Sequence, residues 1–353
     1  MTHIAHGYAN HSPKDKLEPF TFERRDLLED DVLIKITYCG VCHSDIHSAR
    51  NEWHGTHYPY VPGHEIVGRV SDVGSGVTKF KVGDMVGVGC FVDSCNRCKP
   101  CQDGMEQYCE NELTPTYNSE DLIGGTPHKF TMGGYADIIT VKERFVLRMP
   151  ENIDFAAASP LLCAGITVYS PLRHWNIGKG QKVGVIGLGG LGHMGVKIAH
   201  AMGAEVTMIT TSPEKGADAK KLGAHNILIS TDKVAMDSQA NSFDFLLNTI
   251  PVEHDVDPYM GLLKLDATMV IVGALVQLKQ VSGSRLIFKR RHLAGSLVGG
   301  IAETQEMLDF CSKHNIVCDI EKIDIKDINK AFDRVVKGDV KYRFVIDMSS
   351  LAA

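Results

Sequence analysis

No stretch of this sequence is apolar for the roughly 20 residues that a bilayer span requires, and the opening Met1–Asn10 carries no apolar core of a secretion signal. An excess of positive charge is missing too. The 37 Lys and Arg residues face 43 Asp and Glu, a formal net charge of −6, so composition draws the chain neither to nucleic acid nor to an anionic membrane. Internal repeats and low-complexity segments are likewise absent. The expectation is a cytoplasmic protein without membrane or nucleic-acid partners. What is present is ordinary globular composition, 44% hydrophobic and 23% charged. The 353 residues exceed what one core usually serves, so two domains are expected.

The first 150 residues are rich in glycine and β-branched residues, with strand-like runs at Val32–Tyr38 and Glu65–Val73 broken by frequent turn signals. Near Ala156 the pattern changes to strands alternating with helical stretches, as in a parallel α/β sheet. Strands are expected at Lys182–Ile186, Val206–Thr210, Phe243–Asn248 and Thr268–Val272, with a helix over Gly192–Met202. The tail carries a helix around Glu303–Lys313 and a last strand at Tyr342–Asp347. The expected division is residues 1–154, 155–298 and a C-terminal return, 299–353.

Ten cysteines are many for a chain with no secretion signal, and cysteines clustered in a reducing compartment are more often metal ligands than disulfides. Cys95, Cys98, Cys101 and Cys109 form C-x2-C-x2-C-x7-C. Four thiolates so close in sequence can wrap one tetrahedral ion, a closed structural zinc site. An iron–sulfur cluster is disfavoured because the proline after the bacterial ferredoxin motif is missing. Cys90, just upstream, reads as a buried strand residue. A second set is dispersed: Cys42, His64 with Glu65, and Cys163. Two cysteines and one histidine leave a fourth position open, the ligand pattern of a catalytic zinc that can polarise an aldehyde oxygen or acidify an alcohol.

Gly187-Leu188-Gly189-Gly190-Leu191-Gly192 is G-x-G-x-x-G, placed directly after a strand and opening a helix. In that context the glycines permit a tight turn and close approach of a pyrophosphate to the helix N-terminus. NAD sites usually place an acid at the end of the next strand to accept the ribose 2′-OH. Here that position begins Thr210-Thr211-Ser212-Pro213-Glu214-Lys215. Three hydroxyls and an ammonium suit a 2′-phosphate, and Pro213 is expected to start a helix that carries Glu214 away. NADP(H) is therefore the expected cofactor.

Gly63-His64-Glu65-Ile66-Val67-Gly68, continued to Gly74 and Val77, resembles the signature of zinc-containing medium-chain dehydrogenases. Tyr38-Cys39-Gly40-Val41-Cys42-His43-Ser44-Asp45, Leu162-Cys163-Ala164-Gly165-Ile166-Thr167 and Asp339-Val340-Lys341-Tyr342-Arg343-Phe344 are similar to the cinnamyl alcohol dehydrogenase branch, including its bacterial aldehyde reductases. The resemblance runs from about residue 15 to the end. It implies a GroES-like, mostly β barrel completed by the C-terminal tail, an α/β Rossmann domain, and an active site in the cleft between them. It further implies two zinc ions per chain, a homodimer joined through Rossmann domains, and aldehyde or primary alcohol substrates. By the same resemblance Ser44 bonds the substrate oxygen, His47 ends a proton relay, and Asp45 supports the metal site. His43, Thr167 and Arg343 contact the cofactor, and Glu65 is a further candidate ligand. Plant members carry an acidic-then-aliphatic pair after the relay histidine; this chain has Glu52 and Trp53, and Trp53 is expected to wall the substrate pocket.

Three other readings fit less well. A zinc-free quinone reductase would lack Cys42 and the Cys95–Cys109 cluster. A nucleic-acid-binding zinc protein would want basic flanks, whereas Asp93, Asp103, Glu106 and Glu110 stand beside only Arg97 and Lys99. A purely structural protein leaves the open ligand set unexplained.

Overall fold

The strand Asp31–Val41 organises the first part of the chain. Its 11 residues place β-branched Val32, Ile34 and Ile36 on one buried face, and Asp31, Leu33, Cys39 and Val41 on the other face are buried as well, so the strand is covered on both sides over most of its length. One edge pairs antiparallel with Ile66–Val73. The other edge is shared: Asp31–Lys35 pair with Ile138–Lys142, and Tyr38–Val41 with Arg343–Asp347. The last strand of the chain thereby returns to the N-terminal sheet. It also pairs in parallel with Ile320–Asp324, giving a seven-stranded, mostly antiparallel sheet.

The structure is a computed structural model that describes residues 3–121, 129–273, 276–279 and 281–352. The chain divides into two units, Met1–Cys163 with Gly299–Ala353, and Ala164–Val298. The expected boundary at 154/155 thus compares with a division after Cys163. Residues 155–163 pack on the first unit because Ala157 O accepts from Cys318 N at 3.1 Å.

The second unit is a six-stranded parallel sheet. Its hydrogen-bonded order is Asn226–Ile229, Glu205–Thr210, Lys182–Ile186, Phe243–Asn248, Leu263–Ile271 and His292–Gly295. Numbered from Lys182–Ile186 as strand 1, this is 3-2-1-4-5-6, the doubly wound order whose reversal point lies between strands 1 and 4. Phe243, Leu246 and Met269 are buried in its core.

Most elements read from sequence lie within a residue or two of their observed ends. The fifth strand begins earlier than expected, at Leu263 rather than Thr268. Its first half is interrupted by Asp266 at φ 60°, which hides it from an alternation argument. Cys90 is a correction: it sits on a bend between the strands Met85–Val88 and Phe91–Ser94, half-buried rather than inside a strand. Among the described residues no single helix is long and apolar enough to cross a membrane.

Candidate metal centres and cofactor loop

Both cysteine sets converge. The ligand atoms of Cys95, Cys98, Cys101 and Cys109 lie within 4.8 Å of one another, and so do those of Cys42, His64, Glu65 and Cys163. Sulfurs about 2.3 Å from one tetrahedral ion stand roughly 3.8 Å apart. Cys98 Sγ is 3.4 Å from Cys101 Sγ and 3.9 Å from Cys109 Sγ, Cys95 Sγ is 4.0 Å from Cys101 Sγ, and Cys42 Sγ is 4.0 Å from Cys163 Sγ. The donors therefore fit zinc. In the four-cysteine lobe, sulfur also receives N–H donors suited to thiolates: Cys98 N and Asn111 Nδ2 to Cys95 Sγ at 3.4 and 3.2 Å, and Glu110 N to Cys98 Sγ at 3.5 Å.

The second centre is assembled by local structure. Cys42 is the N-cap of the helix His43–Ala49, and its backbone N–H donates to Asp45 Oδ2 at 2.9 Å, a capping interaction that orients the first ligand. Asp45 Oδ1 accepts from His64 Nδ1 and from Gly63 N, each at 3.1 Å. That bond places the histidine proton on Nδ1 and leaves Nε2 for the metal. The hydrogen bond between the Cys42 and Cys163 thiols holds Cys42 well below the usual thiol range and Cys163 well above it. A dication lets both ionise. Glu65 is fully buried with Oε2 unpartnered, while Oε1 accepts from Arg343.

Ser44 Oγ lies 3.6 Å from Cys42 Sγ. His47, on the same helix, is half-buried, and its Nδ1 is bonded to Glu52 Oε2. Its ring stands 5.0 Å from Trp53 and 5.9 Å from His43, centroid to centroid. Trp53 is 39% exposed, and His43 is exposed at the helix start. Arg343 is buried, donating to Glu65 and to Val41 O at 2.9 Å.

The glycine loop closes on itself. Gly187 has φ +91°, and a Cβ at Gly192 would lie 1.9 Å from Gly187 O, whereas one at Gly189 would meet nothing within 4 Å. Gly189 is exposed; its open face ahead of the helix Gly192–Ala201 is a cradle for a pyrophosphate. Thr210 is buried at the end of its strand, and its Oγ1 accepts from Ser212 N at 3.3 Å. Ser212 is the N-cap of the helix Pro213–Lys221, but its side chain makes no capping bond, so its hydroxyl stays available. Thr211 and Lys215 are exposed. Thr167 is buried on the helix Ala164–His174.

Residues that sequence reasoning missed include Thr249, whose hydroxyl donates to Ile186 O at 2.8 Å and Gly187 O at 3.0 Å. Its position just past strand 4, at the order reversal, was a usable signal. Tyr135, which donates to Asp45 Oδ2 at 3.0 Å, and Tyr117, whose ring stands edge-on to His64 at 5.3 Å, carried none.

Comparison with known proteins agrees with this geometry. Residues 28–151 match the alcohol dehydrogenase GroES-like domain and residues 190–313 the zinc-binding dehydrogenase family. The chain is 55% identical to aldehyde reductase YahK of Escherichia coli, over 97% of each chain. Cinnamyl alcohol dehydrogenase from Sorghum bicolor superposes with a TM-score of 0.94 at 44% identity, over 98% of each chain. The CAD structure from Helicobacter pylori, complexed with NADP(H), gives a TM-score of 0.92 at 43% identity over 99% of each. The chain belongs to the zinc-containing medium-chain alcohol dehydrogenase family. Its motifs and these relatives put it in the cinnamyl alcohol dehydrogenase branch, with a GroES-like barrel and a Rossmann domain.

Proposed function

We propose that the protein is a cytoplasmic, homodimeric, zinc-dependent NADP(H) alcohol dehydrogenase that interconverts aldehydes and primary alcohols, over a broad aromatic and aliphatic range. The observation that carries the reading is the open ligand set Cys42, His64 and Cys163, with a hydroxyl, Ser44, beside it. Zinc would supply Lewis-acid polarisation of a carbonyl oxygen, and NADPH the reducing equivalents.

The chain's own residues handle the proton and the orientation. Ser44 Oγ exchanges a proton with the substrate oxygen, and His47 carries it outward, its ring held by Glu52 at Nδ1. Asp45 keeps His64 in the tautomer whose Nε2 faces the centre. Trp53 offers an aromatic face near His47. Gly187, Gly189, Gly190, Leu191 and Gly192 receive the pyrophosphate, and Thr210, Thr211, Ser212 and Lys215 the 2′-phosphate. His43, Thr167 and Arg343 are further cofactor contacts.

The cytoplasmic assignment is supported by ten free cysteines, since two thiolate ligand sets survive best in a reducing compartment. The homodimer is supported by His292–Gly295, an edge strand of the parallel sheet. Just before it, Ile287 and Phe288 are 76% and 80% exposed. Light scattering that returned a monomer mass at micromolar concentration would remove the dimer. The function is tested by NADPH oxidation with benzaldehyde: aldehyde-dependent turnover that exceeds NADH use supports it, and zinc-replete protein without turnover on any of a panel of aldehydes overturns it.

A further inference from the structure

Asp45 is fully buried, and both of its oxygens are doubly engaged. Oδ1 accepts from Gly63 N and His64 Nδ1; Oδ2 accepts from Cys42 N at 2.9 Å and from the Tyr135 hydroxyl at 3.0 Å. Three of these donors belong to the ligands or to the residue beside one. The fourth comes from a different segment, 90 positions away. We propose that Tyr135 is a positioning residue of the Cys42–His64–Cys163 metal centre, acting through Asp45; this rests on the zinc reading above.

The placement of Tyr135 is built in from several sides. Its segment lies along the one that carries His64: Gly133 N donates to Val61 O at 2.8 Å, Gly134 N to Gly63 O at 2.8 Å, and Tyr135 N to Pro62 O at 2.9 Å. Tyr8 N donates to Tyr135 O at 2.9 Å from the opposite side. Gly63 has φ +104°, and a Cβ there would lie 2.6 Å from Tyr135 Cδ1. The glycine before His64 is therefore what lets the phenol ring reach Asp45. Burial and the Asp45 charge raise the Tyr135 pKa well above the ordinary phenol range, so the hydroxyl remains a donor.

The physical consequence is stiffness. A buried carboxylate with four donors has one rotamer and holds the His64 ring in one orientation. Without the phenol, Oδ2 keeps only the Cys42 N–H, and the carboxylate can swing away from His64 Nδ1. Removing a ligand's direct outer partner typically costs about 10–100-fold in metal affinity. Tyr135 acts one bond further out, so a loss of about three- to tenfold is expected.

The test uses full-length, zinc-loaded Tyr135→Phe and a colorimetric chelator that reads zinc release from each site. The expected result is a three- to tenfold weaker hold on the open-site zinc, with unchanged release from the four-cysteine lobe and little change in Tm. On an Asp45→Asn background, Tyr135→Phe should add nothing, which a merely structural tyrosine would not show. Wild-type zinc retention by Tyr135→Phe, or release from both sites in step with a fallen Tm, overturns the proposal. Wild-type protein holding a single zinc overturns the reading of the centre itself, and is distinguishable because no open-site zinc is then there to measure.

Discussion

Arg343 and Glu65, 278 positions apart in sequence, form an ion pair buried beside the His64 ligand. Gly40 makes the space for it, since a Cβ there would sit 1.9 Å from Glu65 Oε2. Burial pushes the Glu65 carboxyl upward while Arg343 pulls it back. Removing one member of a buried pair strands the other charge, at about 3–5 kcal/mol. Arg343→Met should therefore lower unfolding free energy by that amount in urea titrations. Adding Glu65→Gln should recover a good part of it. Equal stability of Arg343→Met and wild type would show that the pair is dispensable.

Two zinc ions per chain should have separable consequences. Cys163→Ser is expected to abolish turnover and leave a folded protein with one zinc. Cys101→Ser should mainly lower stability, because a closed structural site contributes folding energy. Elemental analysis of both variants and of the parent decides this, and one zinc in the parent refutes it.

Ser44→Ala should reduce kcat by about a hundredfold or more while zinc content stays the same, the size of a lost acid–base link. His47→Gln should cost less, because bulk water can replace the outer end of a relay. The ring is half-buried rather than enclosed, which gives water that route. Near-normal kcat for Ser44→Ala would remove the serine from the relay.

Cofactor preference should lie at the end of strand 2. Losing one charge-assisted bond costs about 1.5–3 kcal/mol, roughly ten- to a hundredfold. Lys215→Ala should raise KM for NADPH by about that factor and leave NADH nearly unchanged. Thr210→Asp should go further, because a carboxylate there repels the phosphate and accepts from the ribose diol. Values of kcat/KM for both cofactors with one aldehyde provide the check; equal use of NADH and NADPH by the parent contradicts the assignment.

Legibility followed sequence distance. The Cys95–Cys109 lobe and the Gly187–Gly192 turn were readable because each closes within a few residues, where spacing alone limits geometry. The strands Lys182–Ile186 and Phe243–Asn248 were found at their observed ends because continuous apolar runs bounded by turns leave little choice. Cys90 was misread, since the bend after Met85–Val88 interrupts what looks like one β run. The short edge strands Asn226–Ile229 and His292–Gly295 offered too few residues for a pattern.

By itself the sequence determined the ligand types, the two zinc sites they favour, the nucleotide-binding turn and the hydroxyls where an acid would stand. Those are matters of chemical identity and local spacing. Only the tertiary structure decided which cation neutralises Glu65 and which phenol steadies Asp45. Each is a single contact between distant segments, brought together when the strand Arg343–Asp347 joins Asp31–Val41 and when residues 133–135 lie along 61–63. Nothing in the composition of either segment marks such a contact, because a buried Tyr or Arg reads in sequence like any other until its partner is in place.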